Sequence, residues 1–249
     1  VSYWQRGKIN QDGYTSCLPS LMDFPLTMAL HQALNEDSDF GSGWIRVYDV
    51  LANDFVYSDP GNLTIFPDNH DMSRILTQVG EDVAKDKLAL AFILTTRGIP
   101  QIYYGTEILM SNPGTDSHGV IRSDFPGGWQ GDRVNAFTGQ GLTPEQKDMQ
   151  SYVRTLLQWR QSNDAVRYGK LMHYAPEQGV YVYFRYTDDR VVMVVLNKNN
   201  EVVPLDLSRF AEQLQPGQEA RDVLHNQIIH LEQKLELVPM EPLILEFVK

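Results

Sequence analysis

The chain has 249 residues, of which 42% are hydrophobic and 10% aromatic, so it has enough apolar side chains for a sizeable folded core. Its formal net charge of -11 argues against a nucleic-acid partner or an anionic membrane surface, but not against a neutral ligand such as a sugar. The single cysteine, Cys17, excludes a disulfide within the chain, and we read it as a small packing residue. The sequence contains no apolar run of about 18 residues, so no membrane span is predicted.

The first residues, 1–14, include no starting Met, no basic segment and no apolar segment typical of a secretion signal. This opening leads us to expect that the sequence belongs to a longer natural chain. Periplasmic, secreted and cytoplasmic locations all stay open, and we expect a bacterial protein.

The predicted elements of the first part alternate between short strands and helices. Strands are predicted at Leu21–Leu26, Leu63–Pro67 and Ile99–Gly105, and helices at 25–36, 43–54, 81–98 and 142–163. We expect Arg97 in the last turn of the third helix. The fourth helix has Thr143 as its N-cap and Pro144 at its first helical position. Such alternation implies parallel βα units.

The second part, residues 166–249, shows the alternating pattern of antiparallel strands, with a turn at residues 187–189. We predict an antiparallel β-sandwich domain there. A closed parallel barrel needs eight strands, and residues 1–165 supply only three. The predicted fold is therefore α/β: the second half of a TIM (β/α)8 barrel, followed by an antiparallel β-sandwich domain.

The second predicted strand ends in a cluster of polar residues, "DNHD" at 68–71. Parallel α/β folds bind ligands at the carboxyl ends of their strands. The imidazole of His70 and the carboxylate of Asp71 suit a polyhydroxylated ligand, and the carboxylate could stabilise developing positive charge. The structural alternative is that Asp71 caps a helix starting at Met72 while His70 lies in the core.

Two longer segments resemble motifs of the α-amylase family of glycoside hydrolases. "FPDNHDMSR" (66–74) resembles its strand-seven motif, and "GIPQIYYGTE" (98–107) resembles its strand-eight motif. "LMDFPL" (21–26) resembles strand six. "IRSDFPGGWQGDR" (121–133) is similar to the neopullulanase, cyclomaltodextrinase and maltogenic-amylase branch. The terminal β domain also fits, so the resemblance covers essentially the whole chain. It implies a retaining enzyme that acts on α-1,4- or α-1,6-linked glucans.

The resemblance also implies roles for particular residues. Asp71 resembles the catalytic carboxylate that stabilises the oxocarbenium-like transition state. The candidates for substrate binding are His70, Asn69, Arg74, Tyr104 and Trp129. For four of these, structural alternatives are open: loop support for Asn69, a salt bridge for Arg74, a core position for Tyr104 and a buried loop anchor for Trp129. We expect Asp68 to be a solvated loop residue.

The chain departs from the family in one respect. The nucleophile and general acid come from strands four and five in the family, and no segment here matches those motifs. "YWQ" at 3–5 resembles the stretch just after the strand-five Glu, so we expect the chain alone to be inactive. The alternative is a non-catalytic barrel relative that serves as a carbohydrate-binding or scaffold protein. A sugar-binding β module of another class is a third hypothesis.

The partner implied by the resemblance is an α-glucan oligosaccharide, and no nucleic acid is expected. No cofactor or metal ligand is predicted in this chain, although a structural calcium ion is conceivable in a longer parent. Two strands, at Leu21–Phe24 and Ile99–Tyr104, would have open edges without the rest of a barrel. Such edges favour pairing with another chain, so a homo-oligomer is one expected outcome.

Overall fold

The computed structural model of the protein describes residues 18–215 and 217–248. The predictions for Cys17 and for residues 3–5 lie outside the described residues. The helices are α1 (Phe24–Asn35), α2 (Ile45–Ala52), α3 (Ile75–Gln78), α4 (Val83–Thr95), α5 (His118–Ile121), α6 (Pro144–Gln161) and α7 (Asp164–Tyr168). The strands are β1 (Thr64–Ile65), β2 (Ile99–Pro100), β3 (Lys170–His173), β4 (Val180–Tyr186), β5 (Arg190–Asn197), β6 (Val203–Asp206), β7 (Glu219–Asp222), β8 (Gln227–His230), β9 (Lys234–Leu237) and β10 (Pro242–Val248).

The first part contains a short parallel sheet. Strands β1 and β2 pair in parallel, with Thr64 opposite Ile99, and Met22 forms a further parallel bridge to Thr64. Three chain segments therefore lie side by side in parallel, as the strand–helix alternation predicts. The described residues form no closed barrel.

The strand predicted at Leu21–Leu26 is present only as the parallel bridge at Met22, because helix α1 begins at Phe24. The Asp23 side chain caps this helix by accepting the backbone N–H of Leu26 at 3.1 Å. Pro25 lies in the first turn, where its missing N–H costs no hydrogen bond. The other two predicted strands are present but contain only two paired residues each.

The four predicted helices are present: α1 is shifted by one residue, and α2, α4 and α6 are shorter than predicted. Helix α6 begins as predicted: Thr143 and Gln146 form a reciprocal capping box. Helix α4 ends at Thr95, so the prediction that Arg97 lies in its last turn is wrong. The Arg97 guanidinium instead pairs with the carboxylates of Asp23, at 2.7 Å, and Asp54.

The second part forms two antiparallel sheets, in agreement with the predicted antiparallel pattern. One sheet has six strands in the order β3-β4-β5-β10-β7-β8, and the other pairs β6 with β9. Phe184, Met193 and Phe210 lie in the apolar core of this second part. Tyr183 and Val194 belong to a larger core shared with α1, α2 and α4, so the six-stranded sheet packs against both layers.

The domain boundary predicted at residues 165/166 stays a prediction, and the region around it holds α7 and the start of β3. Within residues 18–215 and 217–248, no helix has the length and apolar character needed to cross a membrane.

Candidate active site

The polar loop after β1 presents two side chains to solvent. The side chains of His70 and Asp71 are 60% and 63% exposed, and His70 Nε2 lies 3.2 Å from Asp71 Oδ2. The next helix, α3, begins at Ile75 with Arg74 at its N-cap position. Both structural alternatives are therefore wrong: Asp71 does not cap a helix starting at Met72, and His70 is not in the core.

Asn69 supports this loop from below. It is buried, and its Oδ1 accepts the backbone N–H of Asp71 at 2.8 Å. This contact agrees with the loop-support alternative for Asn69. The hydrogen bond fixes the backbone that carries the exposed carboxylate.

Asp68 is fully buried, so the prediction of a solvated loop residue is wrong. Its Oδ2 accepts the backbone N–H of Ile75 at 2.8 Å, which caps α3, and Thr106 approaches the same oxygen. Burial raises the pKa of Asp68 to about 6, and the hydrogen bond from Ile75 opposes that rise. Asp86 on α4 is also fully buried. Its own burial and the nearby charge of Asp68 raise the pKa of Asp86 well above its usual value.

Arg74 lies beneath the site, with only 1% of its surface exposed. Its Nε and Nη2 donate to the carbonyl of Ile121 at 3.0 and 2.8 Å, and its Nη1 donates to the carbonyl of Tyr104. The guanidinium also lies 4.2 Å from the ring centre of Tyr103. No carboxylate of the described chain pairs with it, so the salt-bridge alternative is wrong. This burial removes Arg74 from the side chains that face a ligand.

Tyr104 and Trp129 are both accessible. Tyr104 is partly exposed, and its hydroxyl donates to the carbonyl of Ser123 at 2.8 Å. Trp129 is 67% exposed, so the buried-anchor alternative is wrong. Its backbone N–H donates to Asp132 Oδ2 at 3.1 Å, which holds the loop while the indole stays in solvent. Contact of either ring with a sugar stays a prediction.

Arg122 is the site residue that the sequence analysis missed. Its Nη2 donates to Asp71 Oδ1 at 2.7 Å, and its Nε donates to the carbonyl of His70 at 3.0 Å. The same Nη2 lies 2.7 Å from His118 Nδ1. Asp71 therefore has one oxygen towards His70 and the other towards Arg122. The only sequence signal was the position of Arg122 at the start of the 121–133 segment.

The chemistry of the site follows from these contacts. An exposed carboxylate, fixed from two sides and next to an imidazole, can exchange hydrogen bonds with neighbouring hydroxyls and stabilise a developing positive charge. Among the residues that the structure describes, no group of three or more His, Cys, Asp or Glu side chains could hold a metal ion.

Comparison with known families gives matches over both parts of the chain. Residues 17–181 match the model described as "Alpha amylase, catalytic domain". The chain belongs to the α-amylase family. Residues 171–246 match the model described as "Cyclo-malto-dextrinase C-terminal domain".

Individual relatives agree with this membership. A cyclomaltodextrin glucanotransferase of Geobacillus stearothermophilus is 31% identical over 183 residues, which are 73% of this chain and 22% of that protein. An α-amylase of Niallia circulans is 32% identical over 180 residues, which are 72% of this chain and 30% of that protein. The chain thus spans less than a third of the length of these relatives.

Solved structures of family members resemble the fold. CldA, a cyclomaltodextrin glucanotransferase with a three-domain ABC distribution, superposes with a TM-score of 0.69 at 27% identity, over 96% of this chain and 46% of CldA. AmyP in complex with maltose gives a TM-score of 0.73 at 19% identity, over 98% of this chain and 54% of AmyP. The α-amylase family fold therefore accounts for nearly all of the described chain.

Proposed function

We propose that this chain is part of an α-glucan-acting glycoside hydrolase or transferase, and that it binds the sugar residue next to the cleaved bond, in subsite −1. The observation that carries the proposal is the exposed His70–Asp71 pair after β1, in a chain of the α-amylase family. In this assignment, Met22 and strands β1 and β2 mark strands six, seven and eight of a (β/α)8 barrel.

Asp71 is the catalytic group in this proposal. Its carboxylate accepts hydrogen bonds from the sugar hydroxyls, and its negative charge stabilises the oxocarbenium-like transition state. His70 donates a hydrogen bond to a hydroxyl of the same sugar. Arg122 orients the Asp71 carboxylate through the contact at 2.7 Å, so it acts as a positioning residue.

Two aromatic residues extend the proposed binding surface. The exposed indole of Trp129 can stack on a sugar ring, because sugar C–H faces pack well against aromatic rings. Tyr104 lines the site from the end of β2 and is joined through Ser123 to the segment that carries Arg122. Asn69 and Arg74 support the site through hydrogen bonds to the backbone: Asn69 binds the N–H of Asp71, and Arg74 binds the carbonyls of Tyr104 and Ile121.

The complete reaction requires two carboxylates for which no segment of this sequence resembles the family motif. A retaining glycosidase uses a nucleophile and a general acid about 5 to 5.5 Å apart. In the family resemblance these two carboxylates belong to strands four and five, and no segment of the printed sequence corresponds to either. We therefore propose that a longer protein supplies them, and that its substrates are maltooligosaccharides, starch, pullulan or cyclodextrins.

The second candidate is a non-catalytic relative that binds carbohydrate. The arrangement of His70, Asp71 and Arg122 favours the enzyme, because a scaffold does not need a carboxylate that is held by both a histidine and an arginine. Binding without chemistry remains the outcome that distinguishes the two candidates.

The proposal is tested by incubating the longer protein with maltoheptaose, pullulan and β-cyclodextrin and measuring new reducing ends. NMR identifies the anomer of the product that forms first. We expect the longer protein to turn over substrate and to form the α-anomer first. We expect no turnover by the 249-residue chain alone. Binding of maltoheptaose by the longer protein without turnover would identify the scaffold instead. Initial formation of the β-anomer would contradict the retaining mechanism.

A further inference from the structure

A cavity with several cationic side chains lies apart from the His70–Asp71 pair, and neither of those two residues lines it. It has a volume of about 760 Å³ and is lined by the segments before β1 and β2, by β2 itself, and by residues of α2, α6, α7, β3 and β4. Two carboxylates, Asp54 and Asp59, line it together with five cationic side chains, Arg97, Arg160, Arg167, Lys170 and Arg185. This concentration of cations is unexpected in a chain whose net charge is -11.

Only two of the five cations have carboxylate partners among the described residues. Arg97 pairs with Asp23 and Asp54, and Arg167 lies 3.6 Å from Asp164. The remaining three, Arg160, Lys170 and Arg185, form no ion pair within the described part of the chain. The five cations face four carboxylates, Asp23, Asp54, Asp59 and Asp164, so the cavity wall carries a surplus of one positive charge.

Two arginines without carboxylate partners, the half-buried Arg160 and the buried Arg185, bind the carboxyl end of helix α4. Arg160 Nη1 donates to the carbonyl of Leu94 at 2.8 Å, and Arg185 Nη1 donates to the carbonyl of Thr95 at 3.0 Å. A helix end is equivalent to about half a negative charge, so it cannot balance two guanidinium groups. Arg185 Nε is buried and has no acceptor among the residues that the structure describes.

The proximity of these arginines has an electrostatic cost. Burial lowers the pKa of Arg160 to about 10 and that of Arg185 to about 10. The charge of Arg160 further lowers the pKa of Arg185. A bound anion would offset this repulsion.

We propose that this cavity is a binding site for a phosphate group, either inorganic phosphate or the phosphate of a small metabolite. Guanidinium groups bind phosphate oxygens through paired, charge-assisted hydrogen bonds, and an anion suits the surplus of positive charge. The volume leaves room for an organic group beside the phosphate. The site is independent of the proposed glucan chemistry, and its ligand would link α4 and α6 to β4.

The test measures inorganic phosphate binding to the longer protein by calorimetry, and by thermal unfolding in phosphate against chloride at equal ionic strength. Binding to the native state raises the Tm with ligand concentration. We expect a phosphate-dependent rise in Tm, and affinities several-fold weaker in Arg167→Gln and Lys170→Gln. Both side chains are exposed, so neither change should affect the fold. Lys147→Gln, which removes an exposed charge of α6 outside the cavity, is the matched control.

A second readout uses the unaltered longer protein. His173 lines the cavity, and burial lowers its pKa. A phosphate anion bound nearby should raise the His173 pKa, which NMR titration of the imidazole measures with and without phosphate. Equal Tm in phosphate and chloride together with an unshifted His173 pKa would overturn the proposal, as would equal affinities in Lys170→Gln and Lys147→Gln.

Discussion

At the scale of single residues, the buried carboxyl group of Asp68 supports the candidate site. Asp68 holds the first turn of α3 directly below the loop that carries His70 and Asp71. The sequence predicted that His70 and Asp71 lie together after a strand, because they are adjacent in one motif, while the catalytic role of Asp71 stays a prediction. The burial of Asp68 was not predicted, because its surroundings include residues distant in sequence, such as Thr106, 38 positions away. Arg122 was missed for the same reason: its partner Asp71 is 51 positions away.

The pKa of Asp68 gives a pH dependence with a defined sign. Because burial raises it to about 6 from an unfolded value near 3.8, the folded state favours the protonated acid. The free energy of unfolding should therefore fall as the pH rises from about 4 through about 6, by on the order of 3 kcal/mol for this group. Asp68→Asn keeps an oxygen that can accept the Ile75 N–H and should flatten this slope.

Urea unfolding of the two proteins at pH 4 to 7 checks the effect of Asp68→Asn. The matched control is Asp188→Asn, since Asp188 is an exposed residue of the turn between β4 and β5 and should leave the slope unchanged. If Asp68→Asn retained the full pH dependence of the unaltered chain, Asp68 would not be its source.

Arg122 should affect catalysis by the longer protein through Asp71. Removal of a hydrogen bond to a charged group costs about 1.5 to 3 kcal/mol, so Arg122→Gln should lower kcat/KM by about 10- to 150-fold. Steady-state kinetics on maltoheptaose measure this loss. Arg133→Gln, which removes an exposed arginine from the same segment, should be close to the unaltered protein. Equal kinetics in both variants would show that the Arg122–Asp71 contact plays no part in the reaction.

At the scale of elements, local signals predicted helices better than strands. The start of α6 was predictable because Thr143, Pro144 and Gln146 act within one turn. The end of the strand predicted at Leu21–Leu26 was not predictable, because a short apolar run with Asp23 fits both a strand and a capped helix. The decision depends on long-range contacts, including the ion pair between Asp23 and Arg97.

The capping box of α6 gives a stability prediction. Thr143→Ala removes the oxygen that accepts the Gln146 N–H at 3.2 Å, and should lower the free energy of unfolding by about 1 kcal/mol. Thr143→Ser keeps the hydroxyl oxygen and should lose much less. Chemical denaturation of the three proteins provides the comparison. Equal losses in the alanine and serine variants would point to the threonine methyl group rather than the cap.

At the scale of the whole molecule, the parallel sheet has open edges. Among the described residues, β2 pairs only with β1, and Met22 bridges only to Thr64. Large apolar side chains next to these edges, including Phe24 and Ile99, are exposed. Unpaired edges with apolar surface favour association with another chain.

We therefore expect the 249-residue chain alone to self-associate. Light scattering over a range of protein concentrations should give a mass above 28.4 kDa for a substantial fraction of the protein. Ile99→Lys places a charge at the exposed edge of β2 and should reduce the association, while Val238→Lys changes an exposed apolar residue outside the parallel sheet. A monomer at every concentration would contradict the open-edge interpretation.

The central claim is that Asp71 stabilises the transition state of glucan cleavage, and the most direct test is the kinetics of Asp71→Asn in the longer protein. Because the carboxylate charge matters most when the sugar becomes positive, kcat should fall by about two orders of magnitude or more while KM changes little. A variant with nearly normal kcat would contradict the claim and reduce Asp71 to a surface residue paired with His70 and Arg122.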